Sequence, residues 1–103
     1  MESCEDDVQL AHEVLQDFRE TAPSCLIRLA AAVTAADASL VRLEAHSLKG
    51  SSRTIGAQAL AGAAVRLETA AASNDLSDAP SLLALVEIQM PKLISFISGY
   101  LAS

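Results

Sequence analysis

Tryptophan is absent from this chain, and phenylalanine and tyrosine together supply only 3% of its 103 residues. Glycine and proline are scarce too, at four and three. A β-sandwich or barrel of this length needs aromatic and β-branched strands cut by frequent Gly and Pro turns, so the composition argues against an all-β fold. Cys4 and Cys25 are too few for a disulfide framework and lack metal-ligand spacing, and they are expected to be reduced structural thiols. Positive charge is in short supply as well. Seven Lys and Arg stand against thirteen Asp and Glu, a net charge of -6, which speaks against a protein that tracks a phosphate backbone or an anionic membrane. The longest uncharged stretch, Thr54 to Val65, falls far short of the ~20 apolar residues that span a bilayer. The opening Met-Glu-Ser-Cys-Glu-Asp-Asp is acidic where a signal peptide is basic. The expectation is a cytoplasmic protein with no nucleic-acid partner and no membrane insertion.

What is present is aliphatic. Hydrophobic residues make up 51% of the chain, and twenty of them are alanine, the strongest helix former and one whose small side chain lets helix axes approach. Apolar residues recur at helical spacing almost throughout. A first segment carries Val8, Ala11, Leu15, Phe18, Ala22, Cys25, Leu29 and Val33, interrupted by Pro23, so it is either one kinked helix or two, the first a short extra N-terminal helix. A second segment, capped by Asp37 and stopped by Gly56, carries Val41, Ala45, Leu48, Ser52 and Ile55, with Leu40 and Leu43 expected to widen the buried face. A third carries Leu60, Ala64, Leu67 and Ala71 and ends near Asn74, which tolerates a left-handed cap. Asp78 and Pro80 open the fourth, whose stripe is Leu82, Val86, Met90, Leu93, Ile97 and Leu101, with a kink expected at Pro91. Short connections make neighbouring helices antiparallel, so residues 1–103 are expected to form a single all-α domain, an up-and-down antiparallel four-helix bundle.

The second segment also holds the chemistry. Arg42, His46, Lys49 and Arg53 follow steps of four, three and four and line one strip, a cationic exception in an acidic chain. From spacing alone, a solvated helix face with a histidine at its edge is the better explanation. Gly50 favours a functional strip, because a helix-interior glycine costs ~0.5 to 1 kcal/mol relative to alanine and Gly56 already supplies the stop. Four residues after His46, it leaves the imidazole open to a bulky partner. Three residues after His46, Lys49 can reach an anion bound to the ring.

The run Ala45-His46-Ser47-Leu48-Lys49-Gly50, followed by Gly56, Leu60 and Leu67-Glu68, resembles the histidine-containing phosphotransfer (HPt) domain family of multistep phosphorelays. The resemblance implies a four-helix bundle, His46 as the phosphoryl acceptor, Lys49 and Gly50 as its neighbours, and Glu68 as the residue that hydrogen-bonds the imidazole. It implies phosphoryl exchange with response-regulator receiver domains and with a hybrid sensor histidine kinase. On this basis the chain is a monomeric intermediate without kinase or phosphatase activity of its own. It carries no cofactor or metal, since Mg²⁺ belongs in the receiver's acidic pocket. Family members often carry a further basic or polar group on the third helix after Glu68; here Thr69 and Ala70 to Ala72 follow it, so that role is not carried over. Arg53 is a candidate substitute, and the docking surface is expected to include Arg42, Ser47 and Arg53.

Other assignments fare worse. His12-Glu13 superficially resembles the His-Glu pair of a sensor kinase's dimerisation domain, but no proline follows a few residues later and the four glycines make no glycine-rich nucleotide segment. It also lacks the second histidine of a helical His-Glu-x-x-His zinc pair, leaving His12 as a surface residue. A helical scaffold or dimerisation module, in which His46 does no chemistry, is the alternative from a different class.

Overall fold

Three of the helix ends follow one backbone pattern. In this computed structural model the backbone of residues 3–102 is described, with the side chains of residues 11–102. Cys4 and Val8 lie outside the described side chains. The helices are α1 (Ser3–Thr34), α2 (Ala38–Thr54), α3 (Gln58–Ala72) and α4 (Ala79–Ala102). Each of the first three ends when one residue turns left-handed: Ala36 at φ 53°, Gly56 at φ 77° and Asn74 at φ 56°. After each, an amide reaches back five residues to close the last turn: Asp37 N–H to Ala32 O at 2.9 Å, Ala57 N–H to Ser52 O at 2.8 Å and Asp75 N–H to Ala70 O at 2.9 Å. These bonds satisfy carbonyls that a helix end otherwise leaves open. At the start of α2 the Asp37 carboxylate accepts the Leu40 amide at 3.2 Å, the expected cap.

α1 runs unbroken through Pro23, so no separate N-terminal helix forms. α4 likewise continues through Pro91. α1 packs on α2 and α4, and α3 packs on α2 and α4, while among the described residues the diagonal helices stay further apart, giving the square of an up-and-down bundle. The core is an apolar cluster of Phe18, Leu29, Val41, Leu48, Leu60, Leu67, Val86, Met90 and Ile97, together with alanines such as Ala45 and Ala64. α4 alone among the described residues is long and apolar enough to cross a membrane, and here it forms one wall of the bundle.

The expected burial of Leu40 and Leu43 is corrected. Both are exposed, Leu43 by 61%. At 100° per residue Leu43 stands 200° around the helix from Val41, so it points away from the core however apolar it is. Glu44 takes the inward position on the α1 side instead.

Candidate functional site

α2 and α3 form an antiparallel hairpin whose register follows from its short turn. His46 lies eleven residues before Ala57 and Glu68 eleven after it, so equal rise along the two helices brings them level. His46 Nδ1 and Glu68 Oε2 are 2.7 Å apart, and Lys49 Nζ is 2.7 Å from the other carboxylate oxygen, Oε1. One carboxylate therefore serves two groups on the facing helix.

The electrostatics fix the proton. The Lys49 ammonium, and after it the His46 ring, hold Glu68 below the usual glutamate range. An ionised carboxylate only accepts hydrogen bonds, so Nδ1 carries the ring hydrogen and donates it. Nε2 is then the nitrogen with a free lone pair. The His46 side chain is 66% exposed, whereas those of Lys49 and Glu68 are each 21% exposed. The ring is open to solvent, and the two charged groups beside it are more sheltered.

The structure thus brings His46, Lys49 and Glu68 into direct contact. Lys49 rests on Glu68 through its Nζ. Gly50 sits one turn beyond His46 on the exposed surface, and a Cβ built there meets nothing within 4 Å. No internal packing therefore demands glycine at this position. Gly62 on α3 is equally open, so it is the proximity to His46 that distinguishes Gly50. Arg42, Ser47 and Arg53 are exposed on α2, and no ion pair among the described residues engages Arg42 or Arg53. Arg53 occupies the last turn, where a cation complements the negative end of the helix dipole. His12 is also exposed, with its ring edge-on to Tyr100 at 5.3 Å between centroids and no carboxylate among the described residues bonded to it.

Two features escaped the sequence analysis. Leu40 and Leu43 form an apolar crest beside the histidine. Glu44, mostly buried, accepts Arg28 Nε at 3.0 Å and the Cys25 thiol at 3.5 Å, joining α1 to α2. Burial, followed by the Glu44 contact, pushes the free Cys25 thiol up to about 11, so this cysteine stays protonated and structural. Neither partner of Glu44 is marked by local spacing, since Arg28 and Cys25 lie on another helix.

A family model for the Hpt domain matches residues 13–96. Among solved structures, the chain is similar to the crystal structure of histidine-containing phosphotransfer protein B (HptB) from Pseudomonas aeruginosa PAO1. That match has a TM-score of 0.87 and 32% sequence identity, and covers 98% of this chain and 85% of that one. No curated protein matches the chain.

Proposed function

This chain belongs to the Hpt domain family, whose work is histidine phosphotransfer in phosphorelays, and on that premise we propose that His46 takes and returns the phosphoryl group. The observation that carries the assignment is the shared Glu68 carboxylate, which holds Nδ1 and Lys49 at once and leaves Nε2 exposed.

The donor is a receiver-domain aspartyl phosphate. The Nε2 lone pair forms a bond to phosphorus as the bond to the aspartyl oxygen breaks, and that electron pair returns to the receiver's carboxylate. The Nδ1 hydrogen stays in place throughout, so the phosphorylated ring bears a positive charge that Glu68 opposes at 2.7 Å. For onward transfer a second receiver's aspartate attacks phosphorus, and the N–P electron pair returns to Nε2. The ring leaves as neutral imidazole because it never lost its Nδ1 hydrogen. Lys49 needs only to pivot from Glu68 towards the phosphoryl oxygens to offset their charge. Mg²⁺ belongs to the receiver in this scheme, since the one carboxylate beside His46 has both oxygens engaged.

The exposed crest of Leu40 and Leu43 supplies an apolar contact next to the reactive edge, flanked by Arg42, Ser47 and Arg53 for the receiver's acidic rim. The chain acts as a monomeric, cytoplasmic intermediate between a hybrid sensor kinase and response regulators, with no kinase or phosphatase activity of its own. Incubation with a radiolabelled, phosphorylated receiver domain tests the proposal. Label should move to the wild-type chain and to His12→Gln, and not to His46→Gln. Transfer to His46→Gln at the wild-type level would refute the assignment and favour a scaffold.

A further inference from the structure

Among its charged residues α2 carries three cations, Arg42, Lys49 and Arg53, and one acid, Glu44. That acid is turned inward. Its side chain is only 11% exposed, and its oxygens are taken by Arg28 Nε at 3.0 Å and the Cys25 thiol at 3.5 Å. Replacing a buried carboxylate pair by apolar groups of similar size is often neutral or stabilising, so stability alone gives little reason for the arrangement. Its evident effect lies outside the core. The Arg28 side chain is 57% exposed, and Glu44 grips it by Nε, which leaves the terminal guanidinium nitrogens for another partner.

Helical spacing locates this cation. Glu44 and His46 stand 200° apart around α2, with Leu43 and Ser47 on the exposed arc between them. Arg28 therefore lies across the crest from His46, on the order of 10–12 Å away, about one helix diameter. A partner centred on His46 that buries the customary ~800 Å² on its own side reaches both edges of that crest. Toward the other end of the α1/α2 seam, Glu13 and Asp17 line a shallow pocket with Ser51 and Thr54.

We infer that Arg28, aimed by the buried Glu44, is a specificity-determining contact for an acidic receiver surface, with Glu44 as its positioning residue. This rests on the receiver-docking reading above and extends the cationic footprint across α2 onto α1. Arg28 touches neither His46 nor Glu68, so it governs encounter and affinity and leaves the bond-forming step alone.

The test measures transfer from a phosphorylated receiver domain as a function of receiver concentration, at low and high salt. Arg28→Ala should raise the half-saturating concentration about three- to tenfold at low salt and less at high salt. The limiting rate at saturation should stay within twofold of wild type. Glu44→Gln should raise the half-saturating concentration in the natural background and have no further effect when Arg28→Ala is present. An unchanged half-saturating concentration for Arg28→Ala at every ionic strength overturns the inference. So does an equal effect of Glu44→Gln with and without Arg28. Should Glu44→Gln fail to fold, Arg28→Ala, at an exposed side chain, decides the matter alone. Absence of label on the wild-type chain would overturn the receiver-docking reading itself, and this inference with it.

Discussion

Gly50→Gln should make the protein more stable and less active at once. Glycine in a helix interior is ~0.8 to 1 kcal/mol less favourable than alanine, and glutamine is close to alanine, so the substitution gains about 0.5 to 1 kcal/mol. Nothing in the structure subtracts from that gain, because a Cβ at Gly50 meets no atom within 4 Å and the backbone is helical. The carbonyl of Gly50 that accepts the Thr54 hydroxyl at 2.9 Å is untouched by the change. For a domain of this size 1 kcal/mol moves Tm by roughly 4–8 °C, so a rise of about 2–8 °C is expected in a thermal melt followed by circular dichroism. Transfer should move the other way. A glutamine one turn from His46 stands where the receiver must approach, and displacing reacting atoms by about 1 Å costs on the order of 10²-fold in rate. Gly62→Gln is the control, since that site is equally open and lies six residues before Glu68, 240° around α3. It should gain the same stability and transfer normally. A Gly50→Gln protein that accepts label from a phosphorylated receiver at the wild-type rate would refute the access argument.

Glu68 should titrate below the usual glutamate range, because its charged form is held by Lys49 first and His46 second. Its contribution to stability is therefore complete above the normal glutamate range and lost as pH falls through the lower folded value. A carboxyl-detected NMR titration giving an ordinary glutamate value would contradict this. Ser52 is fully buried with a hydroxyl that has no hydrogen-bond partner among the described residues, so Ser52→Ala should stabilise the fold by about 1 kcal/mol in urea unfolding, and a loss of that size would point to an unseen bond. Ala36 closes α1 at φ 53°, where a Cβ costs roughly 1–2 kcal/mol, partly offset by the greater freedom of an unfolded glycine. Ala36→Gly should raise stability by about 0.5–1 kcal/mol, and a lower Tm would show that the cap is not strained.

The bundle was legible because its signals are local. Asp37, Gly56 and Asn74 each advertise a backbone state through their own side chain or lack of one, and the structure puts each in that state. Ala36 adopts the same left-handed turn with no such mark in its side chain. Leu40 and Leu43 show the opposite failure, in which apolar character was taken as burial against the geometry of the helix. At the site, spacing exposed His46, Lys49 and Gly50, and the likeness to a known motif supplied Glu68. The hairpin register about Ala57 pairs His46 with Glu68 by arithmetic as well. Whether Lys49 faces an incoming anion or its own chain's carboxylate depends on a contact of 2.7 Å between two helices, which spacing does not encode. The Arg28–Glu44 pair joins residues sixteen apart on different helices and left no periodic trace.

The most direct measurement of the central claim is ¹⁵N-detected NMR of the chain after phosphorylation by a receiver domain. It reports which histidine carries phosphorus and through which nitrogen. The hydrogen bond from Nδ1 to Glu68 predicts a single adduct on Nε2 of His46, with the Nδ1 hydrogen retained and His12 unmodified. Phosphorus on Nδ1 of His46, or on His12, would contradict the account.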